Sequence, residues 1–202
     1  MSENKDGFSF EKEYILQDEW VLLRPLTTED FDFLVEYSIH EPQLFKYSLS
    51  QAIGEEGLKN YLQDAVNARH SHTAYPWIVF DKKTNKHVGS TRFYDIQINN
   101  KTTQLGYTWY GSAWHGSGLN IHCKYLLLEF AFETLGWERV EFRADFDNKR
   151  SIAAMKKIGC IEEGILRKHA IKADGTRRTS IILSILAEEW RASVKAKLKE
   201  ML

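Results

Sequence analysis

The stretch "WYGSAWHGSGLNIHCKYLLLEFAF" joins an aromatic run to a long apolar one through Gly116 and Gly118, which flank Ser117. Glycine lets the backbone take positive φ and lets another molecule come close, at an entropic cost. One glycine would explain a turn. Two at the mouth of a helix indicate that backbone amides are being presented. A helix N-terminus leaves N–H groups free and carries about half a unit of positive charge, so such a mouth suits a phosphate.

Around this strand–loop–helix unit the rest of the chain is read in order. "EWVLLRPL" is a strand ended by Pro25, and "TTEDFDFLVEYS" opens a helix with Phe31, Leu34 and Val35 on one face. "HEPQLFKYSLS" breaks the pattern and reads as a loop. A second helix follows, with Leu58, Tyr61, Leu62, Ala65 and Val66 at helical spacing. "TAYPWIVF" and "HVGSTRFYDIQI" are strands joined by the polar turn "DKKTNK", and "TTQLGYTWY" is the strand before the glycines.

Gly136 is placed to end the quoted helix. "WERVEFRADF" is then a strand, and "NKRSIAAMKKIG" is a short helix with Asn148 as N-cap and Gly159 as its stop. "ADGT" signals a hairpin between two further strands, and "AEEWRASVKAKLKE" closes as an amphipathic cover for the sheet. No repeat or linker interrupts this order, so residues 1–202 read as a single α/β domain behind a polar tail of about residues 1–12.

Composition removes several function classes. The net charge of −1 gives no electrostatic footprint for nucleic acid. No apolar run approaches the roughly 20 residues that span a bilayer, and the polar, acidic start is unlike a secretory signal. The two cysteines, Cys123 and Cys160, lie in different elements, which speaks against a disulfide framework and for a reducing cytoplasm. Six tryptophans, nine tyrosines and eleven phenylalanines exceed what a core needs, leaving aromatics for a pocket or a homo-oligomer interface.

The loop alone leaves alternatives open. A dinucleotide fingerprint needs a third glycine where this chain has Ile121, and the Gly-Lys-Ser/Thr of a nucleotide P-loop is absent. A serine-hydrolase elbow is not supplied by the neighbouring residues, and a flexible strand–helix connection stays possible. His115, His122 and Cys123 match no zinc spacing, and adjacent helical positions diverge by about 100°, so no metal is expected.

Taken together, the "LGY" strand, the W-x-G-x-G-x-N loop, "LGWERVEFRAD", the Asn148…Ser151…Gly159 spacing and "EEGILR" resemble the GNAT acetyltransferases. The branch resembled is that of the ribosomal-protein N-terminal acetyltransferases, closely from Gln104 to Trp190 and more loosely over "VLLRPLTTEDFDFL". The resemblance implies a mixed, mostly antiparallel seven-stranded sheet, flanked by helices and with a splayed central parallel pair, "LGYTWY" and "VEFRAD". It implies acetyl-CoA as donor, its pyrophosphate against the backbone of His115, Gly116, Ser117, Gly118, Leu119 and Asn120. Pantetheine would pair with the strand edge between the splayed strands, as in strand addition.

Acetyl transfer needs a neutral amine, a polarised thioester carbonyl and protonation of the departing thiolate. The resemblance implies an oxyanion donor on the backbone of Thr108, Trp109 and Tyr110. It places Met155 where many members carry a tyrosine for the leaving group. It also implies that Ser151 hydrogen-bonds the thiolate and Asn148 contacts pantetheine; helix-start roles for both are compatible with this. No general base is named. Gln104 and Ala170 stand where relatives carry acidic residues, alternation along a strand turns His169 to the opposite face from Ala170, and no motif supports Glu41. The expected activity is direct transfer to a primary amine, on a protein N-terminus or a small molecule. The rival is a non-catalytic acyl-CoA-binding module that kept the phosphate loop.

Overall fold

The computed structural model describes residues 7–202. Eight strands form one sheet: β1 (Leu16–Gln17), β2 (Val21–Pro25), β3 (Ala74–Asp81), β4 (Lys86–Gln97), β5 (Thr102–Tyr110), β6 (Arg139–Asp145), β7 (Ile161–Ile171) and β8 (Arg177–Leu186). Their order across the sheet is β1-β2-β3-β4-β5-β6-β8-β7, antiparallel throughout except for β5 and β6. The count exceeds the expected seven because the two-residue β1 adds an edge.

The helices are α1 (Phe31–His40), α2 (Gly54–His70), α3 (Leu119–Glu129), α4 (Lys149–Lys157), and a terminal helix built from α5 (Ala187–Glu189), a wider turn over Trp190–Val194, and α6 (Lys195–Lys199). Strand alternation explains how they divide between the faces. Ile78 and Trp109 pack with Leu34, Leu58, Leu62 and Ala65 of α1 and α2. The neighbouring Trp77 and Val79 pack in a second cluster with Cys123 and Leu127 of α3. Trp190, Val194 and Leu198 join that second cluster, all buried, so the charged terminal sequence does cover the sheet along one stripe. Asn148 caps α4 through its side chain, and the glycines read as helix stops, Gly136 and Gly159, have φ of 63° and 102°.

Two departures from regular pairing shape the middle of the sheet. The parallel ladder between β5 and β6 covers only Thr102↔Arg139, Thr103↔Val140 and Gln104↔Glu141, then the strands part. Pairing of β5 with β4 also slips, from Arg92↔Gly106 to Ser90↔Trp109, with Tyr107 at φ 50°. This is a bulge, which bends a strand and re-aims its side chains. Between β7 and β8 the register passes from Leu166↔Ser180 to Ala170↔Arg178, and Lys168 there has φ 51°.

Of the expected polar tail, residues 1–6 lie outside the described residues. The remainder folds against the body. Phe10 is buried and stacks on His72 at 4.7 Å, while Phe8 packs on Tyr14 at 5.5 Å. Two aromatics spaced i, i+2 in a polar run are enough to hold this extended segment on the core edge.

Candidate functional site

A cleft of about 430 Å³ opens where β5 and β6 separate. This volume falls within the range of small-molecule pockets. The floor follows from the fold: β5 turns toward β4 at its bulge, β6 stays with β8, and among the described residues the edge of β5 beyond Gln104 has no strand partner on the β6 side. An unpaired edge offers N–H and C=O groups to an extended ligand.

At one end of the cleft stands the glycine loop. Gly116 has φ 78° and Gly118 φ 96°, and a Cβ at either would meet no atom within 4 Å. The glycines therefore serve backbone conformation and an open approach, not internal packing. Among the described residues the amides of Gly116, Gly118 and Asn120 have no protein partner, whereas Ser117 N reaches Trp114 O at 3.3 Å. The Leu119 amide is held by Ser117 Oγ at 3.3 Å. Trp114 Nε1 donates to Asp81 at 2.9 Å and so pins the loop to the β3–β4 hairpin. Three free amides at the start of α3 form an anion cradle of the kind that holds a diphosphate.

A cation completes this end. Arg150, in the first turn of α4, donates to His115 Nδ1 at 2.9 Å, and His115 Nε2 lies 3.2 Å from the Tyr110 carbonyl. Burial and the Arg150 charge both hold the His115 pKa below the ordinary imidazole value. The ring is therefore a neutral spacer that fixes Arg150.

Asn148, the N-cap of α4, and Ser151 in its first turn line the cleft together with Thr108 of β5. Asn148 Oδ1 accepts the Ser151 amide at 3.1 Å, while the Ser151 hydroxyl has no partner among the described residues. Thr108 Oγ1 sits 2.8 Å from Thr91 Oγ1 and accepts from Lys124 Nζ at 3.1 Å. Met155 lines the same wall and offers no donor.

The structure thus brings Thr108, Trp109, Tyr110, His115, Gly116 and Asn120 together with Asn148 and Ser151 on one cleft. Tyr110 donates to Asn120 Oδ1 at 3.3 Å, tying strand to loop. Ser117, Gly118 and Leu119 do not line it: Ser117 braces the loop, Gly118 presents only backbone, and Leu119 is buried in the core. The Trp109 side chain is buried against Phe45, its ring centroid 5.2 Å away.

Among the residues considered as bases, Glu41 is engaged elsewhere, accepting the Ser112 amide at 2.7 Å. Gln104 donates to Asp95 at 2.8 Å, with its buried carbonyl oxygen left without a partner. Simple alternation failed for His169. Three residues, 167–169, face Thr179 alone across the β7 irregularity, and His169 lines the cleft with Nε2 2.9 Å from Ser180 Oγ. A bulge resets the inside–outside pattern, and nothing in the local composition announces it. His122 is set apart, 2.7 Å from Asp18 and stacked on Trp20, while Cys123 and Cys160 are both buried free thiols. Lys124, Arg150 and Arg178 are cleft residues that the motifs did not point to. No helix among the described residues is long and apolar enough to cross a membrane.

Comparison with known proteins agrees with this geometry. Residues 21–161 match the family described as the acetyltransferase (GNAT) domain. The chain is 24% identical over 176 residues to the uncharacterized N-acetyltransferase p20 of Bacillus licheniformis, covering 87% of this chain and 97% of that one. It is 28% identical over 102 residues to YdaF of Bacillus subtilis strain 168, provisionally named a ribosomal N-acetyltransferase, covering 50% of this chain and 55% of that one. In fold it resembles Mycobacterium smegmatis RimJ in complex with CoA-disulfide, with a TM-score of 0.78, 18% identity and 93% of each chain covered.

Proposed function

This chain belongs to the GNAT acetyltransferase family, and from that premise we propose direct acetyl transfer from acetyl-CoA to a protein N-terminal α-amine or a similarly weak primary amine. The observation that carries the reading is the convergence of three kinds of group on one cleft and the loop at its end. These are the free loop amides, the unpaired β5 edge and the free Ser151 hydroxyl. Bound acetyl-CoA would supply the acetyl group and a thiol leaving group. The amides of Gly116, Gly118 and Asn120, with Arg150, bind its diphosphate. The β5 edge orients pantetheine, and backbone N–H groups between Thr108 and Tyr110 favour negative charge on the carbonyl oxygen. As the C–N bond forms and the C–S bond breaks, the amine loses one proton and the sulfur gains one. Ser151 Oγ holds that developing charge at sulfur.

Neither cysteine suits a covalent relay, because burial pushes both thiols up to about 12 and disfavours the thiolate. Buried, unpaired thiols also accord with a cytoplasmic site of action. The second reading, an acyl-CoA-binding module without turnover, is favoured by one observation: an amide, Gln104, stands where a base would be useful. A coenzyme A release assay with a mixed panel of amines separates the two. Release with at least one amine supports transfer, whereas coenzyme binding with no release across the panel leaves only the module.

A further inference from the structure

We propose that the end of the cleft away from the glycine loop binds a carboxylate, so the acceptor amine carries an acidic group within reach of Arg178 and His169. This rests on the amine-transfer reading above and narrows its substrate class.

The first support is a buried charge without a direct ion pair. Arg178 is 7% exposed, yet its bonds go to neutral groups, Nη1 to the Tyr47 carbonyl at 2.6 Å and Nε to Ser180 Oγ at 2.8 Å. Among the described residues no carboxylate pairs with it, and Nη2 has no partner. Guanidinium groups are rarely buried without an anion, because desolvation is costly unless a charge or several hydrogen bonds offset it. The two bonds that do exist fix the fork across the cleft, from β8 to the loop that follows α1.

The second support is the company it keeps. His169, brought in by the β7 irregularity, shares Ser180 Oγ with Arg178 at 2.9 Å. Beneath the same wall, Arg92 lies between the Tyr61 and Tyr107 rings at 4.9 and 4.1 Å, with Nε buried and unpartnered. The negative groups nearby face other cations at closer range, although Asp145 Oδ2 is buried without a hydrogen-bond partner and its charge also acts on Arg178. Asp145, the one carboxylate on the cleft wall, is held by Lys172 at 3.0 Å and by the Asp147 amide at 3.0 Å. Glu141 is bound to Arg139 and to Arg143. The acceptor end therefore has positive charge in excess and a guanidinium with an open position. A carboxylate accepting from Arg178 Nη2 would complete it with a charge-assisted bond.

The test compares acceptors that differ only in the acid: a short peptide with aspartate second against its asparagine twin, and a dipeptide against its C-terminal amide. A charge-assisted bond predicts that kcat/KM favours the acidic member of at least one pair by about tenfold or more. The pair that shows it identifies whether the carboxylate belongs to a side chain or to the acceptor's own terminus. Arg178→Gln should bring that ratio close to one, and Arg178→Lys should keep part of it, with the neutral acceptor serving as internal control for any loss of fold. Equal kcat/KM within both pairs overturns the proposal. Calorimetry of the N-acetylated acidic and neutral products needs no turnover. Selective binding of the acidic product by an enzyme that acetylates nothing would sink the transfer reading and leave the carboxylate site standing. Equal binding there would remove the site.

Discussion

Asn148 Oδ1 accepts the backbone N–H of Ser151 at 3.1 Å, so the residue that starts α4 also sets the position of the free hydroxyl in the cleft. The cap and the hydroxyl are coupled through one bond. Removing the hydroxyl alone, by Ser151→Ala, keeps the capped amide. Turnover should fall by about tenfold to a hundredfold while coenzyme A affinity stays close to the parent's, because a bond to developing thiolate charge matters mainly in the transition state. Asn148→Ala should instead lose about 1 kcal/mol of stability as well as turnover, and Asn148→Asp should restore the stability. Steady-state kinetics with denaturant melts separate the two. An unchanged kcat in Ser151→Ala would return that serine to a helix-start role.

Gly118 has φ 96° and open space where a Cβ would point. Gly118→Val therefore makes no clash inside the protein, but a β-branched residue resists that backbone region and would displace the loop. Coenzyme A affinity should drop at least tenfold with only the modest loss of Tm that local backbone strain brings, since no core contact is touched. Calorimetric titration of coenzyme A into the variant is the measurement. Parent-like affinity would mean that the loop amides do not hold the diphosphate.

The elements that follow from hydrophobic period and helix punctuation were all legible in the sequence: the Leu58–Val66 face of α2, the Asn148 cap and the Gly159 stop. The glycine loop was legible too, because positive φ leaves a residue-type signature. What escaped was whatever depends on register. The irregularity at Lys168 uses a residue with no turn preference, so His169 changed face without warning. The positions of Arg178 and Lys124 likewise depend on which strands separate, a property of the assembled sheet. Phe8 and Phe10 were hidden by their polar neighbours.

Lys124 is buried between the separating strands, with Thr108 as its hydrogen-bond acceptor and the Phe142 ring 5.6 Å away. Burial pulls its pKa down to about 8, against about 10.4 in an unfolded chain. Between those values the unfolded state binds more protons, so stability rises with pH across that window; below about pH 8 the full cost of burying the ammonium remains. That cost is on the order of 3 kcal/mol. Lys124→Met should therefore be more stable than the parent at pH 7, with an advantage that shrinks by pH 10. Urea melts of both proteins at the two pH values read this difference. A gap that stays constant would show that the amine is not desolvated as a charge.

The acceptor amine must also lose a proton, and the groups around it bear on how. Among the described residues Asp145 is the one carboxylate that lines the cleft, and it is 3.0 Å from Lys172. His169 is the remaining titratable candidate, and burial with the nearby Arg143 and Arg178 charges holds its pKa below the ordinary 6.5. A base that weak takes little from an ammonium. An α-amine near 7.7–8.0 is about one-sixth to one-eleventh neutral at pH 7, whereas a lysine near 10.4 is neutral in roughly one part in 2,500. On the proposed reading the site should favour α-amines and similarly weak amines, with kcat/KM rising along each acceptor's own titration before levelling off. Profiles for two acceptors of different pKa decide the matter. Inflections that follow the acceptors support delivery of a neutral amine. One shared inflection below pH 6.5, abolished by His169→Gln, would instead make His169 the base and overturn this account.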